Sequence, residues 1–199
     1  NLQRRIQKHP KEYSNLDLGF STFFMNRTNR SGIITAGVIG GREQKGIWKI
    51  DARFNKESLI GRIIRIADYK DQISLTNVDA FSLIPKLNKE LPRNSLFYLD
   101  PPYFEKGQQL YMNYYTEQDH LAISKAISRI RKHHWIVTYD DTPEINMLYA
   151  RYRIMNFSLV YNASKPRIGE EILVASDDIH LPERPIVSSP KVMTRVGHG

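Results

Sequence analysis

The period of apolar and polar positions changes several times along the chain, and each change marks an expected element. Between Glu57 and Asp71, the residues Leu59, Ile60, Ile63, Ile64, Ile66 and Ala67 recur every three or four positions, with Arg62, Arg65 and Lys70 between them. That spacing predicts a helix with one apolar stripe, of the kind that packs on a sheet. A β-prone run over 72–78 predicts a short strand ending at Asp79-Ala80-Phe81. A second helix is predicted over 82–91, stopped by Pro92, and the apolar run 95–99 reads as a strand that breaks off at Asp100-Pro101-Pro102-Tyr103. Helical spacing returns over 117–132 through Leu121, Ile123, Ala126, Ile127 and Ile130; 134–138 then reads as a strand and 143–151 as a shorter helix. Two β-rich runs, 152–161 and 171–175, flank a stretch containing Pro166 and Gly169 and predict a closing hairpin. Strands alternating with helices imply an α/β fold with a mostly parallel sheet covered on both faces. Ligands of such sheets gather beyond the carboxyl ends of the strands, where Asp79 and Asp100 are expected.

The first fifty-five residues have another texture. Phe20, Phe23 and Phe24 precede a stretch punctuated by glycine, 32–46, flanked by Ile33-Ile34-Thr35 and Ile47-Trp48-Lys49-Ile50, which suggests a small hairpin module. Gly37, Gly40 and Gly41 neither follow a core strand nor open a helix, so they read as turn glycines and not as a dinucleotide loop. Charge separates the same regions: the first 56 residues hold 11 Lys and Arg against 4 Asp and Glu, and the remainder 18 against 17. A basic segment on a nearly neutral body suits a polyanionic partner held by one part and worked on by another. The expected organisation is thus a basic module over 1–55, an α/β portion carrying the chemistry over 56–178, and a loose tail over 179–199. With no cysteine, no apolar run long enough to span a bilayer and no secretory-type start, a cytoplasmic protein is expected. The six histidines lack metal-ligand spacing, and no metal is expected.

The sharpest chemical feature is Asp100-Pro101-Pro102-Tyr103 at the end of an apolar strand. Two consecutive prolines remove two backbone donors and stiffen the turn, leaving carbonyl oxygens with no adjacent N–H to absorb them. The Asp100 carboxylate and the Pro101 carbonyl can each accept a hydrogen bond from an aromatic amine, turning its nitrogen lone pair toward an electrophile without a metal. Tyr103 offers a flat face on which a base can stack. The stretch 106–115, with Gly107 and several tyrosines, reads as a lid or a crossover.

Asp100-Pro101-Pro102-Tyr103 resembles the catalytic signature of the amino-group DNA methyltransferases, and its surroundings resemble the Dam-type adenine-specific class. Phe24-Met25-Asn26-Arg27 with Ser31-Gly32-Ile33 is similar to the segment that opens that family's DNA-recognition hairpin. Thr76-Asn77-Val78-Asp79-Ala80-Phe81 is similar to its cofactor-lining element, Thr138-Tyr139-Asp140-Asp141-Thr142 to its second strand end, and Arg167-Ile168-Gly169-Glu170-Glu171-Ile172-Leu173 to its closing hairpin. The resemblance runs in the family's order from about Leu16 to Ser176. It implies a Rossmann-like methyltransferase sheet and transfer of a methyl group from S-adenosylmethionine to the exocyclic amino group of adenine in double-stranded DNA. It further implies a base flipped out of the duplex and a place in DNA marking such as restriction-modification. Asp100, Pro101, Pro102 and Tyr103 would be catalytic, and Asp79, Ala80, Phe81 and Asp100 would line the cofactor site. Arg27, Asn29, Arg30, Ser31, Lys45 and Lys49 would meet DNA. Arg30 and Ser31 stand where better-known members place an aromatic residue and Asn, so the recognised DNA sequence does not carry over.

The family's Phe-x-Gly-x-Gly loop, which wraps the methionine end of the cofactor, has no counterpart here, and the chain starts at Asn1. A missing N-terminal segment or a separate chain is therefore expected to complete the cofactor site, with weak or absent cofactor binding by these residues alone. Two other readings stay open: a non-catalytic DNA-binding remnant or half of a split enzyme, and a methyltransferase of RNA or of protein amides. The Asp at position 100 and the basic module weigh against the last.

Overall fold

The computed structural model describes residues 2–105, 107, 114–161 and 167–182. The lid or crossover expected over 106–115 lies mostly outside them, as does most of the expected tail. The chain divides into two compact units, Asn1–Thr76 and Asn77–Gly199.

The first unit is helical. Helix α1 (Leu2–Lys8) packs on α2 (Asn15–Thr28), which begins at a reciprocal cap: the Ser14 hydroxyl oxygen accepts from the Asp17 N–H at 3.1 Å, and the Asp17 carboxylate accepts from Ser14. Ser21 is buried between the two helices, donating to the Gln3 carbonyl at 2.9 Å and accepting from Gln7 at 3.1 Å. The hairpin expected after α2 does not form. Its place is taken by turns with a single bridge, Asn29 to Val38, because Ser31, Gly32, Gly40, Gly41 and Gln44 all have positive φ and curl the backbone out of an extended ladder. Helix α3 (Lys56–Asp68) forms where predicted, with Asn55 accepting from the Ser58 N–H at 2.9 Å as its N-cap. Its apolar stripe is not packed on a sheet: Leu59 is buried, while Ile60, Ile63, Ile64 and Ile66 are 45 to 61% exposed. The strand expected over 72–78 is likewise absent, since no strand among the described residues lies beside it to complete its ladder.

The second unit holds α4 (Ala80–Glu90), β1 (Leu96–Leu99), α5 (Glu117–Ile127), β2 (His134–Asp140), α6 (Pro143–Leu148), β3 (Arg153–Tyr161) and β4 (Arg167–Ala175). The strands form one sheet in the order β1-β2-β4-β3. The mixed α/β class is as expected, but only β1 and β2 are parallel; β4 runs antiparallel to both of its neighbours. The expected closing hairpin is present and longer than its apolar pattern suggested. Alternation puts Phe97, Trp135, Val137, Tyr139, Ile172 and Val174 on one face, where they make a core with Ile84 of α4, Ile123 and Ile127 of α5, and Ile145 of α6. Each of the fully buried aliphatic side chains contributes roughly 1.5–3 kcal/mol by leaving water. The expected cover on both faces is not seen among the described residues of this unit: Leu96 and Tyr98, on the opposite face of β1, are 55% and 63% exposed.

Candidate active site

Parallel pairing of β1 with β2 sets Leu99 opposite Val137. The next residue of each strand therefore brings Asp100 to Thr138, whose hydroxyl donates to Asp100 Oδ1 at 3.0 Å. A threonine hydroxyl has one proton, so the 3.2 Å contact between Tyr98 Oη and Thr138 Oγ1 has Tyr98 as donor. The result is a directed chain, Tyr98 to Thr138 to Asp100. Asp100 itself is exposed, and among the described residues its second oxygen has no protein partner.

The corner that follows is pinned beyond the prolines. Pro101 is buried and Pro102 half-buried, and the Asp140 carboxylate at the end of β2 accepts from the backbone N–H groups of Phe104 at 2.8 Å and Glu105 at 3.0 Å. The Tyr103 hydroxyl donates to Glu171 Oε1 of β4 at 2.6 Å, and Glu171 is buried. Side chains from two neighbouring strands thus hold a turn that two prolines already stiffen. Thr138, Asp140 and Glu171 carry this bracing; the sequence marked them only as parts of similar strand ends.

Of the residues expected at a cofactor, Asp79 is the N-cap of α4, its carboxylate accepting from the Phe81 N–H at 2.8 Å. Ala80 and Phe81 are partly buried against the core, and the Phe81 ring stacks on Tyr115 with centroids 5.8 Å apart. Burial first, then the charges of Asp79 and Asp119, push the Tyr115 hydroxyl pKa up. Tyr115 meets the His120 ring at 5.4 Å and His120 meets Phe104 at 5.1 Å, so an aromatic chain links Phe81 to the corner. Burial also lowers the His120 pKa, against the opposing pull of Asp140 and Asp119. Phe104 also lines an apolar pocket of about 400 Å³, together with Leu121, Met147, Glu117 and Glu144.

The residues expected to meet DNA are in the first unit, and they differ in kind. Arg27 donates through Nε to the Arg53 carbonyl at 2.9 Å; its pKa is lowered by burial and then by the like charges of Arg53 and Arg62. The latter two thereby join it in a cluster not anticipated from the sequence. Asn29 is 2% exposed and spends its amide on the carbonyls of Ile33 and Ile34, at 3.2 and 2.8 Å, bracing the turn from within. Arg30 and Ser31 are exposed on that turn. Lys45 is exposed and pairs with Glu43, and Lys49 is exposed with its ammonium on the Gln44 carbonyl.

Comparison with curated proteins finds no match. The family model for D12 class N6 adenine-specific DNA methyltransferases matches residues 7–163, a span that takes in the arginine cluster, the Asp79 cap and the proline corner. A match over most of the chain, agreeing with a braced acceptor-bearing corner at a strand end, places this chain in the D12 class of N6 adenine-specific DNA methyltransferases, enzymes that methylate adenine in DNA.

Proposed function

We propose that the methyl donor is S-adenosylmethionine and that the target is a base turned out of duplex DNA onto the proline corner. The observation that carries this reading is the state of Asp100: one carboxylate oxygen is held by Thr138, and the other has no partner among the described residues at an exposed strand end. In that state the free oxygen accepts one N–H of the adenine amino group, and the Pro101 carbonyl accepts the other. Both acceptors are fixed before the base arrives, so little reorganisation is left for the reaction itself. Tyr103, tethered through its hydroxyl, presents its ring to the base.

The donor set suits S-adenosylmethionine: carboxylates at Asp79 and Asp100 for its ammonium and hydroxyl groups, and the Phe81 ring for its adenine. When bound, this cofactor supplies an electrophilic methyl group on a sulfonium. Asp100 and the Pro101 carbonyl would hold the adenine amino group with its nitrogen lone pair turned toward that methyl group, and the amino group would lose one proton to solvent. Arg27 with Arg53 and Arg62, and the exposed Arg30, Lys45 and Lys49, neutralise phosphates. We further propose that the turn around the methionine end of the cofactor comes from strands outside the described sheet. Among the described residues no strand pairs with the outer edge of β1 or with the stretch 73–79, which supports this.

The test is transfer of a labelled methyl group from S-adenosylmethionine to duplex DNA by the parent and by Asp100→Ala. Turnover is expected to fall at least about a thousandfold, as for loss of a transition-state acceptor, with DNA affinity unchanged. An Asp100→Ala protein that retains turnover, or loses DNA binding to the same extent, overturns the assignment.

A further inference from the structure

A closed loop over 40–50 in the first unit ends in two apolar residues that the fold leaves in water. Ile47 is 93% exposed and Trp48 72%. The loop that carries them is held from inside. Gln44 donates its amide to the carbonyls of Ile39 and Gly41, at 2.8 and 2.6 Å, and accepts from the Ile50 N–H at 2.8 Å. Gly46 donates to the Gly40 carbonyl at 3.1 Å, and the two strands of the loop pass so closely that a Cβ on Gly46 would sit 2.9 Å from the Gly40 Cα. A Cβ on Gly40 would meet the Trp48 carbonyl at 2.7 Å, and its φ of 81° favours glycine in any case. A tight, side-chain-filled loop thus displays an indole and a sec-butyl group with their positions set in advance.

The surroundings select the partner. Over 40–50, Arg42, Lys45 and Lys49 stand against the single carboxylate of Glu43, and residues 1–76 hold 14 Lys and Arg against 7 Asp and Glu. Two apolar side chains are far too little surface for a stable protein interface, which buries roughly 1,200–2,000 Å². A cationic rim around one aromatic and one aliphatic tip instead matches a polyanion with stacked aromatic units.

We propose that Ile47 and Trp48 form a wedge that enters duplex DNA, Trp48 stacking on a base and Ile47 filling the space beside it, while Arg42, Lys45 and Lys49 meet the flanking phosphates. The inference rests on the methyltransferase reading and extends it by naming the residues that offset the cost of unstacking. Pre-ordering by Gln44 and the glycine contacts reduces the entropy lost when the wedge goes in.

The chain has two tryptophans, and Trp135 is buried in the core of the second unit, so the solvent-exposed emission belongs to Trp48. Titration with a short mixed-sequence duplex is expected to quench that component and leave the Trp135 component unchanged; heparin, a polyanion without bases, is expected to leave both unchanged. Trp48→Ala is expected to weaken duplex binding about tenfold with the same salt dependence, and Trp48→Phe to retain most of the affinity. Lys49→Gln is expected to reduce the salt dependence. An unchanged helical circular dichroism signal verifies that each variant is folded, since the first unit is helical. Equal affinity of Trp48→Ala and parent, equal quenching by heparin and DNA, or no quenching by DNA each overturns the wedge. Methyl transfer measured on the same samples separates the two readings. If the Trp48→Ala protein binds and methylates like the parent, the wedge fails and the proposed methyl transfer stands; if the parent shows the fluorescence and affinity effects but labels no DNA, the wedge stands and the proposed transfer from S-adenosylmethionine by this chain fails.

Discussion

Thr138 has a single hydroxyl proton and directs it at Asp100, which makes its side chain a positioning group for the carboxylate. Replacing it with Val keeps the shape and removes the donor. A carboxylate then free to rotate is expected to lower kcat about tenfold, a loss of about 1.4 kcal/mol in a charge-assisted hydrogen bond's range. Thr138→Ser, which keeps the hydroxyl, is expected to restore the rate, and DNA affinity is expected to stay constant in both; steady-state kinetics with DNA as the varied substrate check this. At this scale the acceptor corner was legible because Asp100, Pro101, Pro102 and Tyr103 adjoin one another at the end of an apolar run. Its braces were not, because they lie 38, 36 and 68 residues away and meet the corner only through strand register. Asn29 shows the converse. The resemblance implied a DNA contact for it, and the structure adds a role that its sequence context did not mark, an internal donor to two carbonyls of the turn.

Helices declare themselves in sequence when they have one apolar stripe and a recognisable start, and the elements here sort by that rule. Helices α3, α4 and α5 have both, and their positions were readable to within a few residues, although 128–132 leaves the helical path that the apolar spacing had suggested. Helix α2 has no apolar stripe: Leu16, Leu18, Phe20, Phe23, Phe24 and Met25 are spread around it, and Leu16 and Phe20 remain exposed. Its start is marked only by the cap at Ser14 and Asp17. Ser14→Ala removes that cap and is expected to cost about 1 kcal/mol of stability, measured as a lower denaturation midpoint in urea with an unchanged slope. The stretch 72–78 failed in the opposite direction. Its residues are β-prone, but a strand is a relation between segments, and no described strand pairs with it.

Across the whole molecule, charge and chemistry are divided between the two units. The excess of Lys and Arg is nearly all in Asn1–Thr76, while the proline corner and its braces are in Asn77–Gly199. That division was visible in the first pass along the chain, since it needs only a running count. The sheet was visible in part: the strand-helix-strand alternation gave its class, but the antiparallel half depends on β4 entering between β2 and β3, an order that no local pattern encodes.

The outer edge of β1 carries a further physical consequence. A row of amide and carbonyl groups with no neighbouring strand among the described residues, beside exposed Leu96 and Tyr98, is a template on which any extended chain can register. Wherever no further strand covers that edge, the protein is expected to self-associate through it at high concentration, and Leu96→Lys is expected to keep it dispersed, as light scattering across a dilution series would record. The strand that ends in the acceptor corner would then also set the conditions under which the protein can be handled.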